Sequence, residues 1–212
     1  MSAILDKLLK GQKVEWLRLG DLTIIKTGES VSKKLISENE GIYPVINSGR
    51  EPLGFINVWN TENDPIGITS RGAGVGSITW QDGKYFRGNL NYSVTILNKK
   101  ILTTRFLYHI LQFHRNDIHA LCNFTGIPAL NASNLKELKI PIPPLDVQAE
   151  IVRILDTFTA LTAELTAELN MREKQYQYYR DCLLTFENST ISEQRTANSE
   201  QRTANSMSNS GS

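Results

Sequence analysis

The chain has 212 residues, of which 40% are hydrophobic, 21% charged and 8% aromatic. This apolar content is enough to build a packed core, so the composition excludes a wholly disordered protein. No apolar run reaches the roughly 18 residues of a membrane helix, and residues 1–13 lack the long apolar stretch of a secretory signal. Cys122 and Cys182 offer neither a disulfide framework nor paired metal-ligand spacing. We therefore expect a soluble, cytoplasmic protein.

Charge is distributed unevenly along the chain. The formal net charge is +1, but residues 1–146 hold 17 basic against 13 acidic residues, and residues 147–187 hold 4 against 7. A mildly basic body followed by an acidic segment is compatible with a nucleic-acid partner for the body but does not require one.

Residues 1–13 form the first predicted element, a short helix. Ile4, Leu5, Leu8 and Leu9 share one face at helical spacing, and Gly11 is a typical residue for ending such a helix.

Residues 14–146 are predicted to form one mixed domain. A helical pattern covers about residues 103–116, and the prolines of residues 138–145 exclude both a helix and a central strand there, which predicts an extended segment. The fold class is therefore α/β or α+β with a short-stranded sheet, followed by one long coiled-coil helix. The β-prone stretches, separated by turn residues, are 22–26, 42–46, 54–58, 65–69, 76–80 and 92–97.

The glycine-rich run of residues 71–76 (RGAGVG) is not a nucleotide-binding loop by its pattern. A dinucleotide fingerprint places its glycines between a strand and a helix, whereas residues 77–80 look like a strand. A glycine-rich hairpin is the default interpretation. A tight turn that holds Arg71 toward a phosphate or a base edge is the alternative.

Hydrogen-bond donors and planar groups are concentrated in the predicted turns of the body. Arginine can grip guanine and asparagine can grip adenine through two hydrogen bonds each, while lysine can neutralise phosphate. Each of these residues could equally be an ordinary turn or surface residue. The candidate DNA-binding residues are Arg50, Ser70, Arg71, Lys84, Arg87, Asn89, Asn91 and Tyr92.

The sequence contains no recognisable catalytic or metal centre. His109, His114 and His119 are spaced by five, so on a helix they would fan around the axis instead of converging on an ion. No G-x-S-x-G elbow indicates a hydrolase. We expect no catalytic residue, no metal and no cofactor in this chain.

Residues 147–187 lack glycine and proline and are predicted to form one long helix with Asp146 as its N-cap. The apolar positions repeat at steps of three and four, with a stutter where TAEL occurs twice in succession. A helix of about 60 Å needs a partner helix, which we expect from another chain; a helix folded back on its own body is the alternative. The predicted helix-contact residues are Leu155, Phe158, Leu161, Leu165, Leu169, Tyr176, Tyr179 and Leu183.

Residues 188–212 form the last segment and are predicted to be disordered. They contain SEQRTAN twice in direct succession, at 192–198 and 199–205, and almost no apolar residues.

Three stretches resemble one protein family. The run KIPIPPLDVQAEIVRILD (residues 139–156), the ending KQYQYYRD (residues 174–181) and the beginning of the chain (residues 5–20) together resemble type I restriction–modification specificity subunits. The repeated TAEL resembles, more narrowly, the subclass with such repeats between its recognition domains. Over the middle of the chain the similarity is one of architecture only.

The resemblance implies a non-catalytic subunit that binds double-stranded DNA through a target recognition domain. Such subunits usually carry two recognition domains and two long antiparallel helices, so this chain resembles a half-length form. It would pair as a homodimer, or with a second half-specificity subunit, to read a bipartite symmetric site. Modification (methyltransferase) subunits would dock on it, and restriction subunits would join through them. S-adenosylmethionine, ATP and Mg²⁺ would belong to these partner subunits.

Two other classes of function remain open from the sequence. The chain could be a coiled-coil adaptor whose globular domain binds protein instead of DNA. A small-molecule enzyme would require a deep pocket with perturbed ionisable groups, which the sequence does not reveal.

Overall fold

A computed structural model describes residues 3–49, 51–185, 198 and 200 of the chain. The chain divides into two compact units, residues 1–156 and residues 157–212. Within the described residues, no helix combines the length and apolar content needed to cross a bilayer. Arg50 and the SEQRTAN repeats, apart from residues 198 and 200, fall outside the described residues, so the predictions made for them remain predictions.

Seven helices lie in the described part of the chain. Six are short and belong to the first unit, and the seventh is 40 residues long. They are α1 (Ala3–Leu9), α2 (Leu19–Leu22), α3 (Lys33–Glu38), α4 (Thr104–Phe113), α5 (Arg115–Ala120), α6 (Ala132–Lys136) and α7 (Leu145–Leu184).

The described residues contain ten short strands in three sheets. These are β1 (Glu15–Arg18), β2 (Thr23–Thr27), β3 (Glu40–Ile46), β4 (Phe55–Ile56), β5 (Thr61–Glu62), β6 (Ile66–Thr69), β7 (Ile78–Trp80), β8 (Lys84–Arg87), β9 (Asn91–Ile96) and β10 (Lys139–Ile142). One sheet has the order β2-β9-β6-β7 and is antiparallel throughout. The second has the order β4-β3-β8-β5, with β3 and β8 parallel, and β1 pairs with β10 alone. This arrangement confirms the predicted class of a short-stranded mixed domain with one long helix.

Two apolar cores hold the first unit together. The larger core packs β6 and β9 against α4, with Ile68, Val94 and Phe106 each 1% exposed or less. The smaller core lies at the second sheet and α3, where Val45 and Ile56 are fully buried. Burial of such side chains is the main favourable contribution to folding.

Each of the six predicted β-prone stretches contains a strand, and no bound shifts by more than two residues. Four strands were not predicted: β1, β5, β8 and β10. Strand β10 falls in the proline-containing segment that was predicted to be extended, and it pairs only with β1, as its Pro141 requires.

The helix predicted over residues 103–116 is in fact two helices. The backbone leaves helical geometry at His114 (φ −82°, ψ 15°), and α5 begins at the next residue. The side chain of His114 is buried, and its Nδ1 lies 2.7 Å from Asp117 Oδ2. The break therefore follows from a tertiary environment that the helical periodicity does not report.

The start of α7 also differs from the prediction. The carbonyl of Pro144 accepts a hydrogen bond from the Gln148 amide at 3.0 Å, so the helix begins at Leu145 and Asp146 lies within its first turn. Asp146 is therefore not the N-cap, although a carboxylate in the first turn is still favoured by the helix dipole.

Polar side chains fix the first three turns of α7 to the rest of the first unit. Fully buried Gln148 donates to the carbonyls of Ile101 (2.7 Å) and Pro143 (2.9 Å), and its Oε1 accepts from the Thr103 amide at 3.0 Å. Two turns later, Asp156 accepts a bidentate bond from Arg105. These bonds hold residues 145–156 of the helix against the rest of the first unit.

Candidate nucleic-acid interface

Four loops of the first unit meet at one edge of its sheets, and we call residues 47–49, 70–77, 88–91 and 121–131 the loop cluster. The Leu90 amide donates to Asn47 Oδ1, and the Ser70 amide donates to the Leu90 carbonyl, both at 2.9 Å. The Gly72 amide donates to the Pro128 carbonyl, also at 2.9 Å. Segments more than 80 residues apart in sequence thus form one continuous surface.

The strand directions explain this convergence. Strands β3 and β8 are parallel, with Ile46 opposite Arg87, so the loops that follow them leave from the same edge. The end of β6 lies opposite the start of β9, with Thr69 paired with Asn91. Loops at one edge of a rigid sheet commonly carry binding residues.

Glycines permit the close packing of these loops. A Cβ on Gly88 would lie 2.4 Å from Asn47 Oδ1, and one on Gly74 would lie 2.7 Å from the Ser48 carbonyl oxygen. The glycine-rich run at residues 71–76 connects the antiparallel strands β6 and β7, as the hairpin interpretation predicted. It contains no helix for a pyrophosphate to meet, so its geometry gives no support to a nucleotide loop.

The loop cluster exposes two of the candidate DNA-binding side chains, Arg71 and Asn89. Ser70 is 8% exposed, and its backbone is bonded on both sides. Tyr92 is half-buried, and its hydroxyl donates to the Leu130 carbonyl at 3.0 Å, which holds residues 121–131 against β9. Arg71 and Asn89 are therefore the candidates that the structure presents to a partner.

Arg87 and Asn91 lie inside the domain, contrary to the expectation of surface contact. Arg87 is 3% exposed and Asn91 is fully buried. The Arg87 Nη1 donates to Asn91 Oδ1 (2.6 Å) and to the carbonyls of Ile66 (3.1 Å) and Tyr92 (2.9 Å). Its Nη2 donates to the Asp64 carbonyl at 2.7 Å and bonds the Tyr85 hydroxyl. These two residues connect the two four-stranded sheets, so we do not retain them as DNA contacts.

Burial changes the acidity of this internal cluster. Loss of solvation lowers the pKa of the Arg87 guanidinium, and the same cause raises the pKa of the Tyr85 hydroxyl. Both shifts disfavour a charge inside the protein, and the ring of hydrogen-bond acceptors offsets that cost for the arginine.

Lys84 lies at the opposite end of β8 from the loop cluster, about 10 Å along the strand from Arg87. Its Nζ lies 3.9 Å from Glu62 and 4.5 Å from the centre of the Trp59 ring. Lys84 is exposed but is not brought together with Arg71 and Asn89.

Three polar residues of α5 border the loop cluster and were missed by the sequence analysis. Arg115, Asn116 and His119 are exposed and line a surface cavity of about 390 Å³ with residues 73 and 75–77. Local periodicity carries no signal for them, because it predicts one helix over residues 103–116 and does not report the break at His114 from which α5 begins.

The histidines do not converge. His109 Nε2 lies 2.8 Å from Asp156 Oδ1, His114 contacts Asp117, and the His119 ring lies 4.8 Å from that of Phe124. Among the described residues, no group of three or more histidine, cysteine or acidic side chains could hold a metal ion.

A second candidate surface runs along α7, and we call its apolar side chains the α7 stripe. All eight predicted helix-contact residues are exposed to between 39% and 68%. Exposure of so many large apolar side chains in one row is typical of an interaction surface. The α7 stripe consists of Leu155, Phe158, Leu161, Leu165, Leu169, Tyr176, Tyr179 and Leu183.

Comparison with known proteins places this geometry in one family. The model of the type I restriction modification DNA specificity domain matches residues 12–172. The chain is 35% identical over 204 residues to the type I restriction enzyme EcoR124I/EcoR124II specificity subunit of Escherichia coli, covering 88% of this chain and 48% of that protein. It is 35% identical over 195 residues to a putative type I restriction enzyme specificity subunit of Haemophilus influenzae, covering 86% and 49%.

A solved structure shares the fold as well as the sequence. The crystal structure of the type I restriction-modification system S subunit from M. genitalium superposes with a TM-score of 0.67 at 26% identity, over 85% of this chain and 48% of that one. The chain spans about half the length of the curated relatives it matches.

Proposed function

Because the chain belongs to the family of type I restriction modification DNA specificity domains, we propose that it recognises DNA for a type I restriction–modification enzyme. The loop cluster is the observation that carries this proposal, since it gathers exposed polar side chains from distant segments on one edge of a rigid domain. The role is recognition without catalysis, and methyl transfer and DNA cleavage belong to partner subunits.

DNA recognition by the loop cluster would use two kinds of contact. The Arg71 guanidinium can make two hydrogen bonds to a guanine edge, and the Asn89 amide can do the same with adenine. Arg115 and His119 lie at the margin of the cluster, where contacts to phosphates would fix the register of the domain on the duplex. Discrimination between bases therefore rests on few side chains.

We further propose that α7 pairs with the α7 of a second copy of this chain. The α7 stripe supports this pairing, because a second helix of equal length would cover side chains that are exposed here. Within the described residues, no other helix exceeds ten residues.

Charge favours an antiparallel arrangement of the two helices. Residues 147–170 carry one basic and four acidic side chains, whereas residues 171–185 carry three basic and two acidic ones. Antiparallel pairing places the acidic half of each helix beside the basic half of the other, and parallel pairing would place like charges together.

A two-fold pair would present its recognition domains to an inverted DNA repeat around a spacer that neither domain contacts. Modification (methyltransferase) subunits would dock on the glutamate-bearing outer face of the helix pair, and restriction subunits would join through them. S-adenosylmethionine, ATP and Mg²⁺ would bind to those partner subunits, and this chain would hold no cofactor.

Methylation mapping tests the recognition role. The full chain is coexpressed with a type I modification subunit, and methylated adenines are mapped across the genome. We expect two inverted half-sites around a fixed spacer. Arg71→Ala should lower methylation or relax one base position by about 5- to 100-fold, because one bidentate base contact is lost.

Lys99→Ala is the matched control, because Lys99 is exposed and lies beyond the other end of β9. It should leave the motif and the extent of methylation unchanged. Absence of any sequence-specific methylation by the wild-type complex would contradict DNA recognition and favour the adaptor alternative.

Sedimentation analysis tests the pairing. The wild-type chain should sediment as a dimer, and Leu161→Asp with Leu165→Asp should yield monomers, because charge would enter the α7 stripe. Ala163→Asp with Ala167→Asp adds the same two charges on the opposite side of the helix and should leave the dimer intact. An unchanged sedimentation mass in the double variant would refute the pairing.

A further inference from the structure

Residues 123–129 form a closed loop whose shape is fixed by its own hydrogen bonds. The amides of Asn123 and Ala129 each donate to the carbonyl of the other, at 2.8 and 2.9 Å. The Thr125 amide donates to Asn123 Oδ1 at 2.7 Å, and Gly126 has a positive φ of 87°, which permits the turn. The loop is therefore pre-organised.

This loop carries two exposed apolar side chains, Phe124 and Ile127, which we call the apolar tip. Phe124 is 51% exposed and Ile127 is 71% exposed. Polar residues usually occupy such turns, so two large apolar side chains at one loop end indicate a contact with something outside the domain.

The apolar tip is joined directly to the segment of Arg71. The Leu130 amide donates to the Ser70 carbonyl at 2.8 Å, and the Gly72 amide donates to the Pro128 carbonyl at 2.9 Å. Arg71 itself pairs with Ala129 as an isolated β-bridge. A partner held by Arg71 would therefore lie on the same part of the loop cluster as the apolar tip.

Charge around the apolar tip suits a polyanion. Between residues 114 and 131 Asp117 is the one carboxylate, and it is engaged with His114 at 2.7 Å. Arg115 is exposed, and the His119 ring lies 4.8 Å from the Phe124 ring. With Arg71 and Arg115 against one carboxylate, the surroundings of the apolar tip carry a small positive charge, which suits duplex DNA.

We propose that the apolar tip is a specificity-determining element that contacts the 5-methyl group of thymine in the major groove. Apolar side chains cannot exchange hydrogen bonds with base edges, and the thymine methyl is the apolar group that the major groove displays. The inference rests on the proposed DNA-recognition function and adds a base to the contacts of Arg71 and Asn89.

Uracil substitution tests the contact, because uracil keeps the hydrogen-bonding groups of thymine and lacks only the methyl group. The motif is first obtained with the wild-type chain and its modification subunit. Binding of that complex is then measured to duplexes in which each thymine of the motif is replaced by uracil in turn. We expect about a fourfold loss of affinity at one or two positions.

Variants assign this loss to the loop. With Phe124→Ala or Ile127→Ala, the methylated motif should relax at the same thymine, and the thymine and uracil duplexes should bind alike. Phe55→Ala and Ile42→Ala are matched controls, because they remove exposed side chains of the same kinds on β4 and β3. These controls should retain the fourfold difference.

The outcomes separate this inference from the proposed function. A wild-type complex without sequence-specific methylation contradicts the proposed function itself. Specific methylation together with unchanged affinity for every uracil duplex overturns the inference alone. A uracil effect that persists in both loop variants also overturns it, because other side chains would then contact the methyl group.

Discussion

Arg71 and Arg87 both belong to turn-rich stretches of the sequence, yet their surroundings are opposite. Arg71 is exposed in the loop cluster, whereas Arg87 is 3% exposed and is bonded to both sheets. A buried guanidinium is tolerated only when acceptors replace its lost hydration. The first arginine is therefore available to a ligand, and the second stabilises the domain.

Removal of one hydrogen-bond acceptor of the buried Arg87 guanidinium should lower the stability of the folded chain. Asn91→Ala removes the Oδ1 that lies 2.6 Å from Arg87 Nη1, and we expect the free energy of unfolding to fall by about 1–3 kcal/mol. Urea denaturation followed by circular dichroism measures this change. Asn89→Ala, two residues away and exposed, should change stability by less than about 0.5 kcal/mol. Equal stability of the two variants would contradict a structural role for Asn91.

At the scale of one element, helix α7 depends both on its local sequence pattern and on its tertiary contacts. Its apolar repeat and lack of helix breakers make a helix, but the bonds of Gln148 and Asp156 determine how its first turns are held. Arg105 is central to this contact, because its guanidinium also lies 4.6 Å from the centre of the Trp80 ring. Hydrogen bonds from Arg105, with a further contribution from His109, lower the pKa of the Asp156 carboxyl.

This lowered pKa makes part of the stability depend on pH. The Asp156 carboxylate stabilises the folded chain above its unfolded pKa of about 3.9, and the contribution is lost as the pH falls through the lower folded pKa. At pH 7, Asp156→Asn should lower the melting temperature by about 2 °C, a small effect because the pair is partly exposed.

Calorimetry between pH 7 and pH 3 measures the difference between wild type and Asp156→Asn. This difference should shrink below about pH 4, where the wild-type carboxylate begins to be protonated. Glu164→Gln, an exposed carboxylate of the same helix, is the control and should show no such gap at pH 7. A gap for Asp156→Asn that stays constant down to pH 3 would rule out the ion pair as its cause.

At the scale of the whole molecule, the proposed function joins the two candidate surfaces. The loop cluster would recognise one half-site of the DNA, and the paired α7 helices would set the distance between the two half-sites. The length of α7 would then control the length of the DNA spacer without changing base recognition, because the loop cluster and the α7 stripe share no side chain.

Insertion of a third TAEL after Leu169 tests this separation of roles. Four residues lengthen a helix by about 6 Å, so the spacer should grow by one or two base pairs at about 3.4 Å each. The half-site bases should remain the same. Methylation mapping measures both, with Thr162→Ser and Thr166→Ser as controls that keep the helix length. An active complex with an unchanged spacer would show that α7 does not set the distance.

Much of the fold could be predicted from sequence because it depends on neighbours in the chain. Helical periodicity over residues 147–184 and β-prone stretches bounded by turns are local properties, and they identified α1, α7 and six strands. Strands β5 and β8 were not predicted, because they are short and contain polar residues. Their conformation depends on pairing with strands that are distant in the sequence.

The sequence by itself determined that polar turns, a long amphipathic helix and a family resemblance occur in one chain. Only the tertiary structure decided which turn residues face solvent: Arg71 and Asn89 are exposed, whereas Arg87 and Asn91 bond each other inside. It also joined residues 128–130, which follow the apolar tip, to the segment of Arg71 through backbone bonds that span some 60 residues. The physical reason is that periodicity reports contacts within a few residues, while burial and charge pairing depend on segments that meet only after the chain has folded.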